Sequence, residues 1–117
     1  MKHVMKLHDA PYHSIKNGSK TIELRLNDEK RKAIAVGDEI EFIHSDNPDL
    51  SLRCMVIALH KFPSFKELYA HLPLLKCGYT ERDILSASPN DMNYYYSKEE
   101  QAACGVLGIE FKLYSNQ

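Results

Sequence analysis

Two stretches of this chain alternate apolar and polar residues with a period of two, the mark of a strand with one buried face. In the first, Ile22, Leu24 and Leu26 interleave with Thr21, Glu23 and Arg25, which predicts a strand from Lys20 to Leu26. In the second, Leu107, Ile109 and Phe111 lie on one side of a strand from Val106 to Leu113. Val4 to Leu7 reads as a short first strand, and the turn Val36-Gly37-Asp38 leads into another from Glu39 to His44. Leu50 to Leu59 is almost continuously apolar, which predicts a strand buried on both faces or built into a closed barrel. Between Glu39–His44 and that run, residues 45–49 (SDNPD) are dense in turn formers and predict a hairpin loop.

Helix signals fill the gaps. Asp9 suits an N-cap for a helix from Ala10, with Pro11 tolerated in its first turn and Asn17-Gly18 stopping it. Asn27 or Asp28 suits the cap of a brief charged helix over residues 29–32. Residues 61–93 are helical by pattern. Ser64 caps a helix ended by Pro73, and Thr80-Glu81-Arg82-Asp83 opens a second that Pro89 closes. Ser97-x-x-Glu100 is a capping box, and Gly105 ends its helix. About five strands and four or five short helices, without repeat or linker, predict a single α+β domain over residues 1–117.

The polar face of the first alternating strand carries the densest candidate chemistry. It presents a hydroxyl, a carboxylate and a guanidinium in a row, with Lys20 at its mouth and Gly18 breaking the helix before it. Such a row suits a grip on a polar or phosphorylated ligand, and it equally suits a salt-bridge ladder. Lys20 either faces a ligand or caps the C-terminal carbonyls of the preceding helix. Tyr94-Tyr95-Tyr96 is the second candidate, because flat aromatic faces stack nucleobases, and Tyr95 or Tyr96 is the expected cleft wall.

Charge changes the picture by subtraction. A net charge of −1 lacks the basic footprint of proteins that hold long nucleic acids by bulk electrostatics. A local patch from Lys16, Lys20, Arg25 and the Lys30-Arg31-Lys32 cluster would have to supply any such binding. No basic recognition helix is visible, so duplex DNA is not expected as a partner. The three cysteines, Cys54, Cys77 and Cys104, have no C-x-x-C spacing, and the six histidines are scattered. No metal, no cofactor and three free thiols are therefore expected. No apolar run approaches a membrane span, and Met1 to Leu7 lacks a signal peptide's apolar stretch, so no membrane partner and a cytoplasmic location are expected. No G-x-S-x-G, P-loop or dinucleotide turn is present.

Three blocks in order resemble one family. Gly18-x-Lys20-x-x-Glu23-x-Arg25 resembles the G-x-K-x-x-E-x-R signature of ASCH domains, small β-barrels related to the PUA fold. Residues 35–42 (AVGDEIEF) resemble the family's second block, and Tyr95-Tyr96-Ser97 with residues 105–111 (GVLGIEF) its C-terminal helix and closing strand. The resemblance implies a PUA-like β-barrel of about five or six strands decorated by short helices. It further implies a cleft for RNA or a nucleotide-like or modified-nucleoside ligand, lined by Ser19, Lys20, Thr21, Glu23, Arg25, Tyr95 and Tyr96. An alternative is hydrolysis of a modified nucleoside or of RNA, with Lys20 and Glu23 as the acid–base pair. The amidohydrolase members place a threonine where this chain has Glu23, and their catalytic acid falls near residues 72–78, which contain no Asp or Glu here. That activity is not carried over.

Overall fold

The computed structural model describes residues 1–114, in the order β1 (Lys2–Leu7), α1 (Asp9–Lys16), β2 (Ile22–Leu26), α2 (Glu29–Lys32), β3 (Glu39–His44), β4 (Ser51–Phe62), α3 (Phe65–His71), α4 (Lys98–Cys104) and β5 (Val106–Leu113). Three 3-10 turns, Leu74–Lys76, Ile84–Ser86 and Pro89–Tyr94, lie between α3 and α4. The five strands form one curled sheet, ordered β1-β3-β4-β5-β2, with β1 parallel to β3 and the other pairs antiparallel. The barrel expected from the sequence is a half-barrel: β1 and β2 are both edges, and the sheet is open between them.

Two apolar clusters flank the sheet. Inside the curl, Met5, Leu7, Ile40, Phe42, Cys54, Val56, Leu107, Ile109 and Phe111 meet Tyr12 and Ile15 of α1. Outside it, Ile22, Leu24, Leu26 and Val106 meet Phe65, Leu68, Cys77 and Met92. Phe65 and Leu68 are almost wholly buried, and truncating either to Ala costs about 2–5 kcal/mol. These contacts pin α3 and the 3-10 turns beside β2.

Several local expectations need correction. β4 is not buried on both faces: Leu52, Cys54 and Val56 point inward, whereas Arg53 and Ile57 are exposed. Its register slips between Val56 and Ala58, a bulge that lets the long strand curl. The N-cap of α1 is His8, which makes no side-chain cap bond. Asp9 is the first helical residue, and its Oδ1 accepts from His13 Nε2 at 3.1 Å and from His44 Nε2 at 2.9 Å. The amides of Asp46 and Asn47 donate to His44 Nδ1, so that imidazole carries its proton on Nε2. Pro89 opens a turn rather than closing one, at the first position after the Ser88 cap, where its missing N–H costs nothing. Residues 61–93 hold one α-helix and three short 3-10 segments, the last running on to Tyr94, because the prolines and Gly78 interrupt every longer run.

Asp28 caps α2, and Ser64 and Ser97 cap α3 and α4 as expected. The motif at Gly37-Asp38 proves to be a fold device. Asp38 Oδ2 accepts from His3 Nε2 at 2.8 Å and from the Ala35 amide at 3.0 Å, tying β1 to the turn. The His3 contact, with the Ala35 amide, holds the Asp38 carboxyl down at about 2.

Candidate functional site

β2 is the organising element. Gly18, at φ +88°, turns the chain out of α1, and the Lys20 amide donates to the Ser14 carbonyl at 3.0 Å, closing the end of the helix. The main chain of Lys20 therefore caps α1, which frees its side chain for other work. Lys20 Nζ lies 2.7 Å from Glu23 Oε1. Arg25 takes the other carboxylate oxygen, with Nε at 3.0 Å and Nη2 at 2.8 Å from Oε2. Arg25 Nη2 also donates to the Lys6 carbonyl at 3.0 Å, reaching from β2 across the open seam to β1.

This triad is buried: Lys20 is 8% exposed and Glu23 5%. The sequence pattern implied a partly solvated floor, but β2 is covered on both faces. Its aliphatic face lies under α3, and Glu23 and Arg25 share the other face with their partners Ile109 and Leu107. Burial by itself raises the Glu23 carboxyl, but Lys20 and Arg25 outweigh it and hold the group below the ordinary carboxylate value. Burial would lower the Arg25 guanidinium, and Glu23 reverses that, raising it. Glu23 is thus held as a carboxylate between two cationic side chains.

The triad forms the floor of an open cleft of about 810 Å³ in the seam between β1 and β2. Lys6, Leu7 and His8 line one side, and the segment from Tyr69 to Tyr96 forms the opposite rim. Gly78, at φ +115°, lies against Lys20, and a β-carbon there would sit 3.4 Å from Lys20 Cδ and 3.6 Å from Nζ.

The rim is held by hydrogen bonds. Tyr79 donates its hydroxyl proton to Asp91 Oδ2 at 2.7 Å, so Tyr69, 2.6 Å away, donates to Tyr79. The Ser88 amide donates to the same Asp91 oxygen at 3.1 Å. Burial and the bond to Asp91 push the Tyr79 hydroxyl up, keeping it a neutral donor. Beyond this clasp stand the three tyrosines. Tyr96 stacks on Phe65 with ring centroids 6.3 Å apart, whereas Tyr95 and Tyr94 are 60% and 88% exposed.

Of the residues singled out in the sequence, Lys20, Glu23, Arg25, Tyr95 and Tyr96 converge on this cleft. Ser19 and Thr21 do not line it. The Ser19 hydroxyl donates to the Ser14 carbonyl at the end of α1. Thr21 precedes β2, has its amide tied to the Lys76 carbonyl, and lines a separate cavity of about 290 Å³ on the far side of Lys20. The expected basic patch is broken up. Arg31 pairs with Asp28 and Lys32 with Glu29, while Glu23 neutralises one charge of Lys20 and Arg25. Tyr69, Tyr79 and Asp91 were missed. The Ser88-Pro89-x-Asp91 capping box was their one legible signal, since it places Asp91 in a first turn.

Among the described residues no three His, Cys, Asp or Glu side chains are grouped to hold a metal ion. Cys54, Cys77 and Cys104 are free. Burial pushes the Cys77 thiol up to about 11, despite the nearby Lys20. No described helix is long and apolar enough to cross a membrane.

A half-barrel of this topology, with a charged strand opening into a seam cleft, defines a PUA-like α+β domain. The family model of the ASCH domain matches residues 5–115, and the chain belongs to that family. No curated protein matches it. Among solved structures it is similar to the hypothetical protein PH0355, with 29% identity, a TM-score of 0.79 and coverage of 97% of this chain and 100% of that one. Protein PF0455 from Pyrococcus furiosus is 26% identical, with a TM-score of 0.71 and 97% of each chain covered. The ASCH protein from Zymomonas mobilis is 15% identical, with a TM-score of 0.65 over 97% of this chain and 67% of that one, a likeness of fold.

Proposed function

We propose that this ASCH domain binds RNA or a free nucleoside or nucleotide by taking one base into the seam cleft. The observation that carries the reading is the floor. A lysine and an arginine each lie within 3 Å of one buried glutamate, beneath a rim that ends in exposed tyrosines. Burying three charges costs several kcal/mol per ion unless geometry repays it, and a scaffold needs no such group at the bottom of an open cleft. Tyr95 supplies a stacking face at the mouth, worth about 1–3 kcal/mol per base.

Binding accounts for the geometry better than acid–base catalysis by Lys20 and Glu23. Both oxygens of Glu23 are already engaged, and the carboxylate is held ionised by its two cationic neighbours. It is a poor proton acceptor unless one of them moves away. Long RNA would be gripped weakly, because Arg31 and Lys32 of α2 are paired with Asp28 and Glu29.

The test is a thermal-shift and calorimetric screen against nucleosides, nucleotides and short single-stranded RNA, at two salt concentrations. A ligand that binds the folded state at one hundred times its Kd stabilises it by about 2.7 kcal/mol. A shift that Lys20→Ala and Tyr95→Ala both reduce clearly is the expected result. Unchanged melting with every member of the panel would refute the reading.

A further inference from the structure

The cleft occupies the gap where the sheet fails to close, so its sides include two strand edges with main-chain groups facing inward. At the two ends of β1, the carbonyls of Met1 and Leu7 accept from the amides of Glu39, at the start of β3, and Ser45, just past its end. Alternation along a strand then aims the main chain of Lys6 away from the sheet, into the seam. On β2, the Phe111 amide donates to the Thr21 carbonyl and the Asn27 amide donates to the Gly105 carbonyl. With that register Glu23 and Arg25 make the ladder bonds to β5, and the N–H and C=O of Leu24 point the opposite way. Lys6 and Leu24 both line the cleft. The Lys6 carbonyl is taken by Arg25, whereas among the described residues the Leu24 amide and carbonyl carry no hydrogen bond outside the β2–β5 ladder.

A bare edge ordinarily invites another strand. Here Arg25 crosses from β2 to β1 and bolts the seam at Lys6, so an extended peptide cannot run along it. What fits beside the bolt is a short planar group. The N–H and C=O of one extended residue present a donor beside an acceptor, and the complement is an acceptor beside a donor, as on the –NH–C(=O)– edge of a lactam. The charged lining balances, with Lys6, Lys20 and Arg25 set against Glu23, Asp83 and Asp91, which suits an uncharged group.

We propose that the Leu24 main chain, aided by the Lys6 amide, is a recognition edge that reads the lactam face of an uncharged nucleobase inserted between β1 and β2. The proposal rests on the nucleobase reading above and adds which atoms of the base are read and by what. It makes side-chain substitution a blunt probe of specificity, because the reading groups belong to the backbone.

The decisive experiment uses four probes, uridine, 3-methyluridine, inosine and 1-methylinosine, titrated into 15N-labelled protein. The methyl group of the second and fourth replaces the lactam proton that the Leu24 carbonyl would accept. Uridine or inosine should move the amide signals of Leu24 and Lys6, and its methylated form should bind at least tenfold more weakly. A Lys6→Pro variant, which removes an amide that no strand uses, should also bind at least threefold more weakly than Lys6→Ala, its control for the side chain. Equal affinity for methylated and unmethylated forms would overturn the proposal. So would binding that moves Tyr95 while the Leu24 amide stays still, and in both cases the cleft remains a nucleoside site. Absence of binding by all four probes, with RNA and nucleotides also inert, would overturn this edge and the nucleobase reading together.

Discussion

The floor and the rim of the cleft are built by opposite means. The floor is three charged side chains at and on one short strand, with Glu23 paired to both Lys20 and Arg25 and Arg25 held to the Lys6 carbonyl across the seam. The rim is a run of short 3-10 segments, anchored by Cys77 and Met92 in the outer cluster and held by the Tyr69–Tyr79–Asp91 clasp and by Tyr96 stacked on Phe65. A floor of paired, desolvated charges is rigid, because moving one group strands another. A rim of short turns yields locally at modest cost. The contrast suits a site that holds its polar contacts fixed while the mouth adapts to what is attached to the bound group.

Breaking the floor carries the largest expected effect. Glu23→Gln leaves Lys20 and Arg25 facing each other without a carboxylate, and loss of one partner from a buried ionic cluster costs about 3–5 kcal/mol. Urea denaturation of the variant reads this directly, and a loss below about 1 kcal/mol would show that the floor is not the rigid half of the comparison.

Acid should attack the same point. The Glu23 carboxyl sits below its ordinary value of 4.5 in the folded protein, so the stability it contributes is full above that pH. That contribution declines as pH falls from there through the lowered folded value. Asp38 adds a second decline, between 3.8 and about 2. Glu23→Gln should make the acid limb of the stability–pH curve shallower by the share Glu23 contributes, while the declines from Asp38 and from Asp9 and Glu39, also held low, remain. A variant whose curve parallels the wild type throughout would remove Glu23 from the account.

The clasp should be worth less. Tyr79→Phe deletes a hydrogen bond to a carboxylate and the acceptor for Tyr69, with an expected loss of about 1.5–3 kcal/mol. The distinctive readout is local: amide exchange over residues 88–94 should accelerate by about tenfold or more, while amides of β2 hold their rates. Equal acceleration in β2 would mean that floor and rim open as one unit.

The smallest effect on the fold belongs to Tyr95. Its ring is 60% exposed, so Tyr95→Ala should change stability by less than about 0.5 kcal/mol. Loss of a stacked base should nevertheless weaken binding of a nucleoside ligand by about tenfold or more. Unaltered affinity would confine recognition to the floor and the strand edges.

Local signals in the chain determined a large share of this protein. Alternation placed β2 and β5, turn residues delimited β3, and the side-chain caps at Asp28, Ser64 and Ser97 lie where short-range chemistry puts them. The spacing of Glu23 and Arg25 already put their charges within reach, since residues two apart on a strand share a face, whereas Lys20 lies three residues before Glu23 and outside β2.

Other features depend on what packs against what, which no local pattern encodes. Thr21 has the same parity as Glu23, yet its tie to the Lys76 carbonyl turns it toward a different cavity. Burial of the triad follows from α3 and the 3-10 turns covering a strand that reads as half-exposed. The seam between β1 and β2, and with it the cleft, exists because residues more than a dozen positions apart fail to pair as strands and are bridged by Arg25 instead. Tyr69, Tyr79 and Asp91 meet for the same reason: hydrogen bonds between side chains are set by tertiary proximity, not by spacing along the chain.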